Sequence, residues 1–354
     1  MTQIAQPSER EAGLDPLARF QLELEVMLRA WAEAPDEAGG DPLWLEARQR
    51  VREYTLRPAK RVRPQLVALG WLLGDEGRSQ GPIPPGVVQF AVGLELLHTF
   101  MLIHDDVADR ATTRRGGPAL HHLLARGRLG EDLAVVAGDH LYARAIEAMV
   151  SSAAPHAAAT SRYVLEICRQ TAAGQHLDLV LAHLPLHEVT LFRTLKVAEL
   201  KTARYGFVAP LVCGARLAGA GPGVVDVLKR AGRHAGLAYQ LRDDLIGLFG
   251  DDAAAGKAGG GDFLEGKRTF PLIAAWTRAD ESGRRALEAL WHRPQARELD
   301  AARSAVTTHG GRSSTERVIE VRSRSARRAL DALGPSAART HLDGLIVALA
   351  RRSA

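Results

Sequence analysis

Three aspartates, Asp105, Asp106 and Asp109, lie close together at the end of a predicted helix. Because Asp105 and Asp109 are four residues apart, their carboxylates fall on one face of that helix. Paired carboxylate oxygens suit Mg²⁺, which keeps several waters and takes further ligands from the phosphates of a substrate. A single motif of this kind is more often the solvated acidic end of a helix, so a second acidic group is needed to predict a metal site.

That second group is the pair Asp243 and Asp244, preceded by Gln240 and by apolar residues at helical spacing. Acids at the end of a buried helix are costly unless a cation compensates their charge. Two such clusters on helices of one bundle can face each other and hold several Mg²⁺ ions around one diphosphate. The two motifs together therefore indicate a diphosphate site far more strongly than either motif alone.

Basic residues recur near both acidic clusters. Arg114 and Arg115 follow the first cluster, and Lys267 follows the second beyond a glycine-rich stretch. Other basic positions with the same potential are Lys60, Arg61, Arg63, Lys201 and Lys257. Each alone is most simply a surface charge, but together they supply cations for diphosphate oxygens that the metal does not reach. Glycines between positions 250 and 266 would let the backbone approach a phosphate closely.

Helices must position these residues, because apolar side chains recur at helical spacing through most of the chain. Residues 87–110 are apolar on all sides until their acidic end, which is typical of a buried central helix. Residues 188–218 are predicted as one continuous helix. We find no strand alternation, internal repeat or linker. The sequence predicts an all-α fold, a single-domain bundle of roughly ten or more helices around a central apolar cavity, with residues 1–14 flexible.

Composition narrows the class of protein. The chain has 354 residues, of which 46% are hydrophobic, enough for a large core. Two cysteines are too few for a disulfide framework, and the first residues lack a signal-peptide pattern. The longest apolar stretch is too short to cross a bilayer, so we expect a cytoplasmic protein without a transmembrane segment. The net charge of +5 suits a polyanionic ligand, and no motif for binding nucleic acid is found.

The sequence resembles the trans-isoprenyl diphosphate synthase (polyprenyl synthetase) family, of the farnesyl and geranylgeranyl diphosphate synthase type. The resemblance rests on Leu96–His121 and Tyr239–Pro271, with shorter stretches in family order. Those shorter stretches are Lys60–Pro64, Gly174–Asp178 and Lys201–Thr202. It covers about residues 43–350 and implies the isoprenoid synthase type I fold. The implied reaction condenses an allylic diphosphate with isopentenyl diphosphate and releases diphosphate.

The resemblance also implies roles for individual residues. The implied metal ligands are Asp105, Asp109 and Asp243, supported by Asp106 and Asp244. The implied allylic-diphosphate binders are Arg114, Lys257 and Lys267. The implied isopentenyl-diphosphate binders are Lys60, Arg63, His98 and Arg115. The residues implied to line the reaction centre and stabilise the carbocation are Lys201, Thr202 and Gln240. Two or three Mg²⁺ ions, with Mn²⁺ as an alternative, and a homodimer are also implied.

Two positions depart from the family pattern. Gly247 stands where the second motif usually has a third aspartate, so an outer ligand is missing unless Asp251 or Asp252 helps. Pro58 and Ala59 stand where two glycines often precede the first lysine. Proline has no N–H, so a backbone donor to isopentenyl diphosphate is lost. Neither change removes a main charge, and we expect an active enzyme.

Product length is expected to depend on the residues below the first motif. Phe100 and Met101 lie five and four residues before Asp105, and five residues span about 7.5 Å of helix. Within the family, a bulky residue at the fifth position fits a C20 product, with C15 next. Phe100 is equally well explained as an ordinary core residue.

Other functions use parts of the same pattern. A class I terpene cyclase shares the aspartates but needs no isopentenyl-diphosphate site. The presence of Lys60, Arg63 and Arg115 therefore argues against a cyclase. A non-catalytic regulatory subunit of a prenyl synthase would not need aspartates in both motifs. Both alternatives are therefore weaker than a prenyltransferase.

Overall fold

The computed structural model describes residues 15–35, 40–75, 81–250 and 260–352, and within them the chain is almost wholly helical. The helices before the second motif are α1 (Pro16–Glu33), α2 (Pro42–Thr55), α3 (Val62–Gly74), α4 (Pro85–Ala108), α5 (Leu120–Leu124), α6 (Gly127–Val150), α7 (Ala157–Ala182), α8 (Leu191–Val197) and α9 (Ala209–Leu217). The remaining helices are α10 (Pro222–Phe249), α11 (Gly261–Leu264), α12 (Phe270–Arg278), α13 (Glu281–His292), α14 (Leu299–Thr308), α15 (Gly311–Leu330) and α16 (Ala337–Arg351). Short 3₁₀ turns cover Leu186–Glu188 and Ala296–Glu298.

The all-α prediction is confirmed. Residues 1–14, predicted to be flexible, lie outside the described residues, and a single domain stays a prediction.

Helix boundaries follow local sequence signals. Proline lies in the first turn of α4 and of α10, where its missing N–H costs no hydrogen bond. The side chains of Asp41, Thr190 and Ser336 accept hydrogen bonds from backbone N–H groups at the starts of α2, α8 and α16. Such caps satisfy donors that have no partner inside the helix. These starts are therefore encoded locally.

The central helix is α4, which carries the first acidic motif at its end. It packs against α6, α3 and α1. It is long and apolar enough to cross a membrane, and no other helix in the described ranges is, but 67% of its apolar window is buried inside the protein. Packing against neighbouring helices therefore accounts for its composition.

A short antiparallel hairpin follows α4 and was not predicted. Its strands are β1 (Thr113–Arg114) and β2 (Gly117–Pro118). The turn contains Arg115 and Gly116, both with positive φ. The hairpin brings Arg114 to Asp106 and Arg115 to Glu95.

Between α8 and α9 the chain forms a π-helix, Ala198–Val208, instead of the predicted continuous α-helix. This segment contains Lys201 and Thr202. It ends just before Pro210, which has no N–H for an α-helical hydrogen bond. π-Helical turns are rare and occur frequently at functional sites.

Candidate active site

Asp105 on α4 is approached by polar groups from three other elements. Gln175 of α7 donates its side-chain amide to Asp105 Oδ1 at 3.1 Å. Lys201 Nζ lies 3.3 Å from the same oxygen, and the Arg114 guanidinium lies 3.7 Å from the other. The Asp105 side chain keeps 23% of its surface exposed. It is therefore an accessible carboxylate in a cationic environment.

Lys201 on the π-helix is held between two acids. Its Nζ donates to Asp178 at 2.8 Å in addition to its contact with Asp105. Gly174 on α7 permits this approach, because a β-carbon there would lie 2.5 Å from the Lys201 backbone nitrogen. Burial opposes the charge of Lys201, but Asp105 and Asp178 outweigh it and raise its pKa. Lys201 is consequently a fixed cation at neutral pH.

Asp106 is fully buried and positions the first arginine of the hairpin. It accepts hydrogen bonds from Tyr54 at 2.8 Å and from Arg114 Nε at 2.7 Å. Burial and the Asp106 carboxylate raise the pKa of Tyr54, so its phenol remains a donor. Arg57 Nη1 donates a hydrogen bond to the Arg114 carbonyl oxygen at 2.9 Å. Both oxygens of Asp106 are thus used inside the protein, in keeping with a supporting role.

Asp109 is bound by Lys267, which comes from the segment after α11. Lys267 Nζ donates to Asp109 at 2.8 Å and also contacts Glu265 at 2.5 Å and Asp262 at 3.8 Å. Burial opposes the charge of Lys267, but Asp262, Asp109 and Glu265 together raise its pKa. A single ammonium group thereby connects the first motif to the segment that follows the second.

Gly247 on α10 lies directly against the Asp262 carboxylate. A β-carbon at position 247 would overlap with both Oδ2 and Cγ of Asp262. A side chain at the position that usually holds a third aspartate would therefore have to displace the Asp262 carboxylate, which comes from α11. Asp251 and Asp252, considered above as substitutes, lie outside the described residues.

Thr202, Gln240 and Asp244 form a hydrogen-bonded chain between the π-helix and α10. Thr202 Oγ1 donates to Gln240 Oε1 at 2.5 Å, and Gln240 Nε2 donates to Asp244 at 2.8 Å. The backbone N–H of Phe270 lies 3.4 Å from the other Asp244 oxygen. Burial, and then the nearby Asp262, raise the pKa of Asp244 to about 8 against these hydrogen bonds. Asp244 is thus buried and hydrogen-bonded inside the protein, and its predicted supporting role stays a prediction.

Asp243 points away from Asp244 and is paired with Arg352, just after α16. The Arg352 guanidinium donates to Asp243 Oδ1 and stacks on the Tyr239 ring, 4.0 Å from its centroid. The Asp243 side chain remains 39% exposed. Of the two aspartates in the second motif, Asp243 is therefore the accessible one.

The two acidic motifs converge on the π-helix. Lys201 contacts Asp105 of the first motif, and the adjacent Thr202 bonds to Gln240 of the second. Lys267 likewise joins the end of the first motif to the acid beside α10. Helices far apart in sequence thus bring both motifs into contact with one element, the π-helix.

A cavity of about 220 Å³ adjoins this region between α3, α4, the hairpin and α10. All four residues predicted to bind isopentenyl diphosphate line it, namely Lys60, Arg63, His98 and Arg115. Glu95 at its side accepts from Arg115 at 3.1 Å and from Arg61 at 2.7 Å. Arg63 Nε and Arg115 Nη1 are buried without a hydrogen-bond partner in the described ranges. Buried donors without partners are costly, and a bound anion would satisfy them.

His98 lies in this cavity near several guanidinium groups. Burial, followed by the charges of Arg63 and Arg115, lowers its pKa well below the ordinary value. The ring also lies 6.3 Å from that of Tyr205. His98 is therefore neutral at pH 7 in the ligand-free protein.

The carboxylates suit a metal that is shared with a substrate. Within the described ranges, no three His, Cys, Asp or Glu side chains lie close enough to form a metal site alone. Mg²⁺ is commonly held by one or two carboxylates together with substrate phosphates and waters. Asp105 and Asp243 are accessible, acceptor-only and matched by nearby cations that can turn to phosphate oxygens. The residues therefore fit Mg²⁺ bound together with a diphosphate.

Comparison with known proteins agrees with this geometry. The sequence profile of the family described as "Polyprenyl synthetase" matches residues 46–308. This chain belongs to the polyprenyl synthetase family. A match over most of the chain, including every described site residue from Lys60 to Lys267, leaves no doubt about the membership.

Relatives of this polyprenyl synthetase are named as prenyl diphosphate synthases. A "Short chain isoprenyl diphosphate synthase" of Methanothermobacter thermautotrophicus is 33% identical over 271 residues, 75% of this chain and 79% of the relative. A "(2E,6E)-farnesyl diphosphate synthase" of Mycobacterium tuberculosis is 35% identical over 67% of this chain and 62% of the relative. A geranylgeranyl pyrophosphate synthase from Corynebacterium glutamicum, solved with isoprenyl diphosphate and magnesium, has a TM-score of 0.85 at 28% identity. It covers 96% of this chain and 100% of its own. The polyprenyl synthetase is accordingly a short-chain trans-prenyltransferase.

The two residues predicted to set product length lie on α4 where it faces α6. The Phe100 ring centroid lies 4.6 Å from that of His104 and 5.1 Å from that of Tyr142. Phe100 and Met101 are both half-buried. Phe100 is therefore held in place by rings on both helices, which suits a barrier and an ordinary packing residue alike.

Some functional positions were not predicted. Four such residues each contact a predicted site residue or line the cavity, namely Tyr54, Glu95, Asp262 and Arg352. Glu95 alone had a sequence signal, since it is an acid inside the most apolar helix. Lys257, predicted to bind the allylic diphosphate, lies outside the described residues.

Proposed function

We propose that this polyprenyl synthetase condenses an allylic diphosphate with isopentenyl diphosphate and releases diphosphate. One observation carries the proposal: two acidic motifs meet at Lys201 and Thr202 beside a separate cavity lined by basic residues. That arrangement suits two diphosphates at once, one on the carboxylates and one in the cavity. A terpene cyclase would need only the first of these sites.

The residues of the chain have distinct tasks in this reaction. Arg114, oriented by Asp106, and Lys267 place positive charge where the leaving diphosphate gains negative charge. Mg²⁺ held by Asp105, Asp109 and Asp243 would supply Lewis acidity to the same leaving group. Ionisation of the allylic C–O bond leaves a carbocation. We assign its stabilisation to the Thr202 and Gln240 oxygens.

The second substrate is held by the basic cavity. The cavity residues Arg63, His98 and Arg115, with Lys60 at its rim, bind its diphosphate and aim the double bond at the cation. Attack forms the new carbon–carbon bond, and loss of a proton restores a double bond. We assign that proton to the departing diphosphate, which is the nearest strong base once the C–O bond has broken.

Product length is the finer part of the proposal. We favour a C20 product, with C15 next, because Phe100 lies about one and a half turns before Asp105 and contacts the rings of His104 on α4 and Tyr142 on α6. The relatives do not decide between lengths, since their names include farnesyl, geranylgeranyl and geranylfarnesyl diphosphate synthases.

We further propose a cytoplasmic homodimer that uses two or three Mg²⁺ ions, or Mn²⁺ in their place. One face of α6 supports the dimer, since Leu129, Leu133 and Val136 lie at helical spacing and are all exposed. Exposed apolar stripes on monomers commonly mark an interface. A second copy would cover this face.

One assay tests the reaction directly. The enzyme is incubated with Mg²⁺, isopentenyl diphosphate and each of the C5, C10 and C15 allylic diphosphates, and the dephosphorylated alcohols are sized by chromatography. We expect elongated products, with C20 predominating. A single allylic diphosphate converted to a cyclic hydrocarbon without isopentenyl diphosphate would instead identify a cyclase.

A further inference from the structure

Arg352 stands at the boundary between the two halves of the site. Its guanidinium donates to Asp243, the accessible aspartate of the second motif, and lies over the Tyr239 ring. The Arg352 side chain is only 19% exposed. This contact occupies Oδ1, one of the two oxygens through which the Asp243 carboxylate could bind a divalent cation.

The same side chain also lines the basic cavity. Arg352 and Tyr239 are among its lining residues, together with Arg63, His98 and Arg115. The Arg352 Nε is buried and has no hydrogen-bond partner among the residues that the structure describes. A guanidinium has five donors in a planar fork, so Arg352 has donor capacity left over within the cavity.

The contact of Arg352 with Asp243 would compete with a metal on the same carboxylate. If Asp243 held a divalent cation, the Arg352 guanidinium would be repelled and would have to compete for the oxygen to which it donates. An anion bound in the cavity that Arg352 lines would be an alternative partner for its guanidinium.

We propose that Arg352 couples the two substrate sites: it neutralises Asp243 in the metal-free enzyme and turns to the diphosphate in the basic cavity when a divalent cation takes Asp243. The proposal rests on the function proposed above. Under this coupling, isopentenyl diphosphate binds tightly in the cavity only after a metal has bound to Asp243. The metal would therefore bind before the second substrate. By linkage, the diphosphate in the cavity must favour metal on Asp243 by the same factor.

The first test is metal binding without any diphosphate. Mn²⁺ titrations followed by electron paramagnetic resonance compare the wild type, Arg352→Ala and Arg351→Ala in the full chain. Arg351 is the adjacent, exposed arginine at the end of α16 and provides the matched control. We expect Arg352→Ala to bind Mn²⁺ several-fold more tightly, because the competing cation is gone, and Arg351→Ala to behave as wild type.

The second test is calorimetric binding of isopentenyl diphosphate with and without Mg²⁺. In the wild type and in Arg351→Ala, Mg²⁺ should increase the affinity, by about tenfold if the coupling is of ordinary size. In Arg352→Ala the increase should largely disappear, and Arg352→Lys should restore part of it. Complexation of Mg²⁺ by the diphosphate in solution is common to all variants and cancels in the comparison.

The outcomes separate this proposal from the proposed function. If Arg352→Ala and Arg351→Ala give equal Mn²⁺ affinities and equal Mg²⁺ effects while the wild type elongates prenyl chains, the coupling is wrong and the function stands. If the wild type elongates nothing but the Mn²⁺ affinity still rises in Arg352→Ala, the competition at Asp243 stands and the proposed function is wrong.

Discussion

Every accessible carboxylate of the two motifs is already paired with a cation of the protein. Lys201 and Arg114 lie beside Asp105, and Arg352 binds Asp243. Unpaired acids so close together would repel one another in a partly buried site. These cations offset the repulsion between the acids.

Removal of a carboxylate from either motif should abolish most of the activity. We expect Asp105→Ala and Asp243→Ala to lower kcat/KM by several orders of magnitude, because the leaving diphosphate is no longer neutralised. Steady-state kinetics and thermal unfolding measure activity and fold. Asp226→Ala, an exposed acid on the same helix as Asp243, should leave both unchanged. Wild-type turnover in both motif variants would show that the metal site is wrongly placed.

His98 should make the fold less stable in acid. Its pKa is lowered in the folded state, whereas the pKa of a histidine in an unfolded chain is about 6.5. The unfolded chain therefore binds the proton more readily, and the free energy of unfolding falls as the pH drops below about 6.5. His98→Asn should flatten the fall between pH 7.5 and 5.5 in urea unfolding.

The exposed His341 on α16 serves as the control for that experiment. His341→Asn should leave the pH dependence as in the wild type. If His98→Asn and the wild type lose the same unfolding free energy over this pH range, the ring of His98 is not held neutral by its surroundings.

The elements act by letting helices approach closely at chosen points. Gly174 admits the π-helix against α7, and Gly247 admits the Asp262 carboxylate against α10. The π-helix then presents Lys201 to one motif and Thr202 to the other. The site is thus assembled by close helix contacts as much as by its charged residues.

A side chain at position 247 should displace the Asp262 carboxylate. Gly247→Ala would push Asp262 away, disturb its contact with Lys267, and cost about 1–3 kcal/mol of unfolding free energy as for other overpacked sites. Activity should fall as well. Gly223→Ala on the same helix has open space around the new methyl and should be neutral or slightly stabilising. Equal stabilities of the two variants in urea unfolding would contradict the close contact.

The packing of α4 on α6 should govern product length. Phe100→Ala removes the ring that lies between His104 and Tyr142, and we expect longer prenyl products in the chain-length assay. Phe192→Ala on α8, where the ring is 75% exposed, should leave the product distribution unchanged. Unchanged lengths in Phe100→Ala would mark Phe100 as an ordinary packing residue.

At the scale of the whole molecule, the exposed apolar face of α6 predicts an assembly. A charge at its centre, Val136→Glu, should convert the dimer to a monomer in analytical ultracentrifugation, because burying an unpaired carboxylate is costly. Val321→Glu on α15 replaces a valine that is also exposed and should keep the dimer. A wild type that sediments as a monomer at micromolar concentration would remove the basis for this face as an interface.

Much of the fold could be predicted from local patterns. The start and end of α4 lie within two residues of the predicted segment 87–110, because apolar spacing and a proline in the first turn are local signals. The segment predicted as one helix, 188–218, is helical without a break from 191 to 217, but its middle portion is π-helical rather than α-helical. Its π-helical portion depends on packing against α7 and α10, which no local pattern reveals.

The sequence alone determined the family, the helical class and the charged residues of both motifs, because those depend on residue type and on spacing within one helix. Only the tertiary structure decided which partners those residues have. Arg352 next to Asp243 and Asp262 next to Gly247 join segments that are distant or irregular in the chain, and such contacts arise from helix packing rather than periodicity. For the same reason the sequence pattern did not reveal that the Asp262 carboxylate of α11 lies next to position 247.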